Sequence, residues 1–264
     1  MRITALVENT TKGELKAKHG LSFYIETKRH QILFDLGPDD TLFENARERG
    51  IDLLKIDTVI ISHGHTDHGG ALDKFLKINP SARVYVQRKA FEPHFLKICF
   101  MKIPLGLNEK LQSHPQIILV EGDYKIDDEL CLLTVGRTEK CYSDANDGLF
   151  DRNGKDDFSH EQNLVITENE TVLLMGCGHT GVVNIMEKAE SLKPKACVGG
   201  FHLFNPITKR SVSDSLLEEI AQKLQAYGDT RFYTCHCTGK KAFEYLEKKA
   251  SNVSYLSCGE SIEI

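Results

Sequence analysis

The sequence predicts an α/β fold in which two mixed β-sheets pack together and helices cover the outer faces. Three observations predict it. The first third is a meander of strand-like segments, the rest alternates strands with amphipathic helices, and the composition is that of an ordered globular protein: 264 residues, 41% hydrophobic and 27% charged. Because no repeat, low-complexity tract or linker interrupts residues 1–264, we expect a single domain.

The N-terminal elements are defined by periodicity and by caps. Strands are predicted at "ITALVEN", "LSFYIET" and "QILFDLG", and the polar "KRH" between the last two makes them antiparallel neighbours. A short helix, "DTLFENARERG", follows with an aspartate at its start and Gly50 at its end. The unbroken apolar run in "DTVIIS" then predicts a buried strand.

A histidine-rich motif, "ISHGHTDHGG", begins where that strand ends. The helix "GGALDKFLKINP" follows, so the motif lies in a strand-to-helix loop. On an extended loop His63 and His65 point the same way, while Asp67 and His68 offer a second set of donors, as in sites with two metals about 3.5–4 Å apart. The alternative is a polar turn in which Thr66 or Asp67 caps the helix.

The middle of the chain is less regular. After the strand "ARVYVQ", residues 88–116 mix aromatic residues with prolines and glycines, which fits a flap over a site or a surface excursion equally well. Strands return at "IILVEG" and "ELCLLTVG". The Asp-rich residues 137–162 do not have the spacing of a calcium-binding EF-hand, so we predict a solvated loop.

The C-terminal half alternates strands and helices. "NLVITE" and "TVLLMGCG" predict a hairpin about "NE", and they are followed by the helix "HTGVVNIMEKAES", the strand "KACVGG", the helix "VSDSLLEEIAQKLQAYG", the strand "TRFYTCHCTG", the helix "KKAFEYLEKK" and the strand "NVSYLSCGE".

The string "HGHTDHGG" resembles the H-x-H-x-D-H motif of the metallo-β-lactamase superfamily, and "LFDLG" is similar to the strand before its first helix. The resemblance implies an αββα sandwich with a dinuclear metal site at the sheet edge. The strings "GCGHTG", "GGFHL" and "CHCTG" resemble its dihydropterin synthase-like branch, which includes 7,8-dihydropterin-6-methyl-4-(β-D-ribofuranosyl)aminobenzene 5′-phosphate synthases. That activity condenses a dihydropterin-methyl diphosphate with a ribosylated aminobenzene phosphate and releases diphosphate.

The resemblance implies further ligands in later loops. His179 and His236 each end a strand before a helix, which favours metal ligation; His202 also follows a strand, but between Phe201 and Leu203 a packed, hydrogen-bonded histidine is an alternative. His160 is a weaker candidate. Surface positions suffice for the remaining candidates considered: His19, His30, His94 and His114.

These residues divide into two ligand sets. His63, His65 and His179 would hold one divalent metal, and Asp67, His68 and His236 the other. Asp67 would also orient an attacking water, and His202 would contact the substrate or a developing negative charge, which makes both catalytic candidates. Zinc is the first choice of metal, although iron or manganese also suits His and Asp ligands. Many superfamily members have a bridging aspartate where this chain has Cys177 in "MGCGH".

A phosphate-binding role is predicted for the segment "CHCTGKK". Thr238 can cap the following helix, with Lys240 and Lys241 in the first turn, so Thr238 and Lys240 are candidate substrate-binding residues. The alternative is that the lysines are solvated helix residues.

The net charge and the cysteine content limit which classes of partner and which cellular compartment we expect. The net charge of −5 does not favour nucleic acid or an anionic membrane, and the sequence shows neither a signal-like start nor a run of 18 apolar residues, so we expect a cytoplasmic protein. The eight cysteines are expected to be reduced, and "CHC" lacks the second pair of a zinc finger. Nothing in the sequence defines the oligomeric state.

The sequence therefore predicts a metal-dependent hydrolase or transferase acting on a small phosphorylated substrate, with the dihydropterin-methyl diphosphate condensation as one candidate. A generic hydrolase of an ester, thioester or phosphodiester is the second hypothesis. A metal-bound ligand sensor without turnover is the third. A redox di-iron role is disfavoured because no companion flavin or rubredoxin segment is present.

Overall fold

Two seven-stranded β-sheets lie face to face in the structure, a computed structural model that describes residues 1–136, 138 and 140–264. The strands are β1 (Arg2–Val7), β2 (Ser22–Glu26), β3 (Gln31–Phe34), β4 (Thr58–Ile61), β5 (Arg83–Gln87), β6 (Phe95–Ile98), β7 (Met101–Pro104), β8 (Ile117–Val120), β9 (Tyr124–Lys125), β10 (Leu130–Leu133), β11 (Leu149–Phe150), β12 (Asn163–Thr167), β13 (Thr171–Leu174), β14 (Ala196–Gly199), β15 (Phe204–Asn205), β16 (Arg210–Ser211), β17 (Arg231–Thr234), β18 (Val253–Tyr255) and β19 (Ser261–Glu263).

The α-helices are α1 (Thr41–Glu48), α2 (Thr66–Gly69), α3 (Leu72–Ile78), α4 (Val182–Ala189), α5 (Asp214–Ala226) and α6 (Lys240–Lys249). Short 3-10 turns cover Leu53–Lys55, Arg88–Phe91, Glu109–Ser113, Asp144–Gly148, Glu190–Leu192 and His236–Thr238. In the described part of the chain, no helix is long and apolar enough to span a membrane.

Both large sheets combine an antiparallel half with a parallel half. The first has the order β19-β1-β2-β3-β4-β5-β8 and is parallel from β3 onward; the second has the order β18-β17-β14-β13-β12-β10-β9 and is parallel from β18 to β13. The predicted hairpins β2–β3 and β12–β13 are confirmed by their antiparallel registers. Helices connect β3 to β4, β4 to β5, β13 to β14, β14 to β17 and β17 to β18, because a parallel connection requires a crossover.

Three hydrophobic layers hold the sandwich together. Side chains such as Phe23 and Phe34 of the first sheet meet Leu132 and Leu164 of the second between the sheets. Helices α1 and α3 cover the outer face of the first sheet, and α4, α5 and α6 cover that of the second. Each fully buried Phe or Leu contributes about 1.5–3 kcal/mol of hydrophobic free energy. The predicted αββα arrangement of two mixed sheets with outer helices is confirmed.

A contact between an imidazole and two carboxylates joins the two sheets at the edge opposite the carboxyl ends of their parallel strands. His30, in the β2–β3 turn, lies 2.8 Å from Asp57 through Nδ1 and 2.8 Å from Asp127, next to β9, through Nε2. Although partial burial lowers the pKa of His30, its hydrogen bonds to the two carboxylates raise that pKa overall. The His30 ring therefore bridges elements from both sheets.

Three local predictions differ from the structure. Residues 88–116, predicted to be irregular, contain the β6–β7 hairpin, which pairs with β11. The predicted solvated loop at 137–162 begins at Arg137, outside the described residues, and its end is buried: Asp156, His160 and Gln162 have almost no exposed surface. The last predicted strand ends at Tyr255, and β19 beyond it pairs with β1, a contact between chain ends that no local pattern signals.

Candidate metal centre

The predicted ligands come together where the parallel strands of both sheets end. The loop after β4 carries His63, His65 and His68, and the loops after β13 and β17 carry His179 and His236. The carboxyl ends of parallel strands face the same edge of a sheet, and here the edges of two packed sheets meet. Residues as far apart as His68 and His236 thus become neighbours.

The first ligand set is His63, His65 and His179. Their nearest ring nitrogens all lie within 4.8 Å of one another, and His63 Nε2 is 3.0 Å from His65 Nδ1. His179 Nδ1 is hydrogen-bonded to Asn146 Oδ1 at 2.8 Å, which leaves its Nε2 buried without a protein partner. A buried imidazole nitrogen with no partner costs free energy unless something else binds it.

The second set is Asp67, His68 and His236. His68 Nε2 lies 3.3 Å from His236 Nε2, and Asp67 Oδ2 lies 3.8 Å and 3.4 Å from these two nitrogens. The opposite nitrogens face acceptors: His68 Nδ1 is 2.6 Å from Asp35 Oδ2 and His236 Nδ1 is 2.9 Å from Asn9 Oδ1. A ring that donates its far N–H in this way presents a lone pair to the centre.

The ionisation of these groups suits metal binding. Burial and the neighbouring imidazoles hold the pKa values of His63, His65 and His179 well below their usual range, so these rings are neutral. Burial opposes ionisation of Asp67, yet His68 and His236 hold its pKa well below the usual value. For His68, burial lowers the pKa but Asp35 and Asp67 raise it to about 9, so a metal must displace a proton there.

Cys177, Cys237 and His202 also face the same centre. Cys177 Sγ lies 3.2 Å from His68 Nε2, so the thiol occupies the place where a bridging aspartate was expected. His202 is buried, its two ring nitrogens have no hydrogen-bond partner among the described residues, and its backbone has a φ of 47°. Imidazole, carboxylate and thiol groups with unpartnered nitrogens fit divalent transition metals.

Thr238 is placed differently from the prediction, whereas Lys240 lies in the first turn of α6 as predicted. Gly239 is the N-cap of α6 and no side chain caps it, so the prediction that Thr238 caps this helix is wrong. Thr238 is fully buried, and its hydroxyl accepts a hydrogen bond from the N–H of Phe201 instead. Lys240 is exposed, 3.8 Å from Glu244, at the border of a groove described below. The capping alternative for the motif is also wrong, because His65 is the N-cap of α2 and its side chain makes no cap hydrogen bond.

Each ligand loop is anchored by a buried carboxylate that the sequence analysis missed. Asp35 Oδ1 accepts the N–H of Ser62 at 2.7 Å, Glu161 Oε1 accepts the N–H of His179 at 2.7 Å, and Glu8 Oε1 accepts the N–H of His236 at 2.7 Å. An acidic residue directly beside an apolar strand was the available signal, as in "LVE", "LFD" and "HEQNLV". Buried acids are rare unless paired.

Three other histidines surround the centre without joining the ligand sets. His160 Nδ1 accepts the N–H of Gly64 at 2.9 Å, and Asp156 Oδ2 lies 3.2 Å from His160 Nε2 and 2.9 Å from His94 Nδ1. His94 was expected at the surface, which is wrong, since it is 3% exposed. His19 lies at the rim, with Nε2 3.4 Å from Asp67 Oδ2.

Two openings lead to the centre. We name the first the central cleft: it has a volume of about 290 Å³, and the apolar side chains Leu96, Leu105, Leu149 and Ile207 line it together with ligand histidines. The second, the basic groove, has a volume of about 1090 Å³. Its cationic lining residues are Lys12, Lys209, Arg210, Lys240 and Lys241.

The chain is similar to known proteins along most of its length. The family model of the metallo-beta-lactamase superfamily matches residues 15–125. An uncharacterized protein of Methanocaldococcus jannaschii, MJ0448, is 30% identical over 278 residues, covering 99% of this chain and all of that protein. The 7,8-dihydropterin-6-methyl-4-(beta-D-ribofuranosyl)-aminobenzene-5'-phosphate synthase of the same organism is 27% identical over 274 residues, with coverage of 94% and 90%.

A solved structure extends the likeness to the whole fold. The crystal structure of Tm1679, described as a metal-dependent hydrolase of the beta-lactamase superfamily, superposes with a TM-score of 0.80 at 28% identity, covering 100% of this chain and 99% of that one. This is the fold of metal-dependent enzymes, and it implies the use of divalent metal. The chain belongs to the metallo-beta-lactamase superfamily.

Proposed function

We propose that this chain is an enzyme with two divalent metal ions that acts on a small phosphorylated substrate, and that its reaction is a group transfer with loss of diphosphate. The observation that carries the proposal is the pair of adjacent ligand sets at one centre between an apolar cleft and a basic groove, with buried, unpartnered nitrogens on His65 and His179 of the first set. The likeness to a synthase over 94% of the chain supports the choice of reaction.

The ligand sets define which residues would hold each ion. His63, His65 and His179 would bind the first, and Asp67, His68 and His236 the second, with Cys177 close to both sets. A thiol beside imidazoles favours zinc or iron over manganese, which prefers oxygen ligands. When bound, such ions supply positive charge that neutralises a leaving diphosphate or activates water.

The residues of the chain itself position the substrate. The apolar walls of the central cleft, Leu96, Leu105, Leu149 and Ile207, suit a flat ring system and exclude water from the reacting bond. His202 lines the same cleft with free ring nitrogens and would contact the substrate beside the breaking bond. Asp67 faces the cleft as a carboxylate and would orient an incoming nucleophile.

The first candidate reaction is the condensation of a dihydropterin-methyl diphosphate with a ribofuranosylaminobenzene phosphate. The amine nitrogen forms a bond to the methylene carbon, the carbon–oxygen bond to diphosphate breaks, and the amine proton passes to a basic group. Diphosphate leaves with the bonding electron pair. An apolar cleft next to a basic groove suits two substrates that each combine a ring with phosphate.

Diphosphate release tests this function. Zinc-loaded protein is incubated with the dihydropterin-methyl diphosphate, with and without the aminobenzene acceptor, and diphosphate and the condensation product are quantified. Release that requires the acceptor supports the proposal. The variant His65→Ala serves as the metal-site control and should release none.

A hydrolase is the second candidate, favoured by the 28% identity and TM-score of 0.80 to a metal-dependent hydrolase. It predicts release without the acceptor, with water as the nucleophile. Absence of release in both arms, together with tight binding of the diphosphate compound, would indicate a ligand sensor instead.

A further inference from the structure

The basic groove concentrates positive charge in a chain with a net charge of −5. Five of its lining residues are cationic, and the acidic side chains among its lining residues are those of Glu244 and Glu247. A groove with one dominant sign of charge raises the local concentration of ligands of the opposite sign. The charge distribution thus points to an anionic occupant.

Two of the five cations have no carboxylate partner within the described part of the protein, and a third has only a long ion pair. Lys12 and Lys241 form ion pairs with Glu260 at 3.0 Å and with Asp214 at 3.1 Å. By contrast, Lys209 and Arg210 contact no carboxylate among the described residues, and Lys240 has only Glu244, at 3.8 Å.

These three cations come from two elements that pack against each other. Lys209 and Arg210 lie at the end of the β15–β16 hairpin, and Lys240 begins α6. The hairpin is held close to the helix: a Cβ at Gly239, where φ is 76°, would be 2.5 Å from Phe204 Cβ. The close packing of the hairpin against the start of α6 brings these three positions to the same groove.

The groove is continuous with the metal centre. Asn9, His236 and Phe204 line both the basic groove and the central cleft. Asn9 holds the ring of His236 through Oδ1 and donates its Nδ2–H to the His236 carbonyl at 3.1 Å. An occupant that contacts Asn9 from the groove therefore reaches the wall of the second ligand set.

We propose that the basic groove binds a phosphomonoester that does not react, at the far end of a substrate whose ring system occupies the central cleft. Arg210 and Lys209 would bind this phosphate from the hairpin side and Lys240 from the helix side. The inference rests on the proposed function for the position of the reacting bond. It adds a binding site for the sugar phosphate tail of the acceptor, formed by the two hairpin cations together with Lys240.

Binding of ribose 5-phosphate to zinc-loaded protein tests the groove without turnover. Phosphorus NMR titration gives the dissociation constant for the wild type, for Arg210→Gln/Lys240→Gln and for the control Lys248→Gln, an exposed lysine on α6 outside the groove. We expect the double variant to bind at least about tenfold more weakly, which is about 1.4 kcal/mol. The control should bind like the wild type, and added salt should weaken wild-type binding most.

Two results would overturn the inference. One is equal affinity of the wild type and the double variant, which would place the phosphate at the metal ions; the other is a wild type that binds ribose 5-phosphate no better than ribose. Failure of this inference can be distinguished from failure of the proposed function. If phosphate binding needs the groove cations, the groove site is supported even when no diphosphate is released. If diphosphate release requires the acceptor and the double variant has an unchanged KM for the acceptor, the proposed function is supported and the phosphate site in the groove is refuted.

Discussion

Asp35 is the anchor of the histidine-rich loop, and its replacement by alanine should destabilise the metal-free protein severely. The carboxylate has no exposed surface and accepts three hydrogen bonds: from the N–H of Ser62 at 2.7 Å, from the Ser62 hydroxyl at 2.7 Å and from His68 Nδ1 at 2.6 Å. Because the pKa of His68 is about 9, its contact with Asp35 at pH 7 is a buried ion pair.

The magnitude follows from what Asp35→Ala leaves behind. Breaking a buried ion pair by removing one partner costs about 3–5 kcal/mol, because the other charge stays buried. The N–H of Ser62 loses its acceptor as well, which adds about 1–3 kcal/mol if no water replaces it. We expect a loss of about 4 kcal/mol or more, a large share of the 5–15 kcal/mol typical of the whole stability.

Asp67→Ala is the matched comparison. Asp67 also lies beside His68 and His236, but its side chain is 25% exposed, and the carboxylate contacts found for it are only with imidazoles. The free energy of unfolding of metal-free Asp67→Ala should therefore stay within about 1 kcal/mol of the wild type, while its metal content and activity fall.

Urea unfolding of chelator-treated proteins, followed by far-ultraviolet circular dichroism, measures the first effect, and mass spectrometry of bound metal measures the second. The anchoring role of Asp35 would be refuted if Asp35→Ala unfolded with the wild-type free energy. A loss of stability in Asp67→Ala as large as in Asp35→Ala would show that any charge beside His68 has the same effect.

Three further predictions concern the same molecule. In cobalt-loaded protein, Cys177→Ala should lose the near-ultraviolet thiolate-to-metal band while Cys177→Asp keeps the metal; an unchanged spectrum would mean that the thiol is not a ligand. Because the folded-state pKa of His30 is raised, the contribution of His30 to stability is fully present below the unfolded pKa and disappears as pH rises through the folded pKa. His30→Gln should therefore lower the free energy of unfolding by up to about 1 kcal/mol at pH 5.5 and by less at pH 9. Urea unfolding at the two pH values measures this difference. Gly64→Ala places a Cβ 2.5 Å from a backbone oxygen. This overpacking should lower the free energy of unfolding by about 1–3 kcal/mol, and with it the melting temperature and the metal content. Gly13→Ala, with open space around it, should change neither.

Much of the fold and the positions of the ligand candidates could be predicted because they follow from short-range patterns. The run "DTVIIS" predicted a buried strand, and the histidines after it had to lie at the sheet edge. The same reasoning located His179 and His236 after β13 and β17. A strand followed by a helix in a parallel sheet leaves little choice about where the intervening loop lies.

The hydrogen bonds that hold the ligand loops in place could not be predicted, because they join parts of the chain that are distant in sequence. Glu8 and Asn9 hold His236 across more than 220 residues, and Glu161 holds the loop of His179. No periodicity relates such partners. Thr238 shows the converse error: a local capping rule was applied to a hydroxyl that the fold uses to bind the N–H of Phe201.

Positive φ angles at residues other than glycine are a further feature that the sequence patterns did not predict. Eight described residues other than glycine have a positive φ, and three of them, Asp35, His202 and His236, belong to the centre or anchor it. Such a conformation costs a residue with a Cβ about 1–2 kcal/mol, and Gly or Asn would relieve it. Asp and His adopt a positive φ more readily than most residues, and Asp35 and His236 are also held in place by hydrogen bonds, whereas the ring of His202 has no partner among the described residues. His202 thus combines a positive φ with two buried, unpartnered ring nitrogens, and this combination favours a side chain that faces a ligand at the centre.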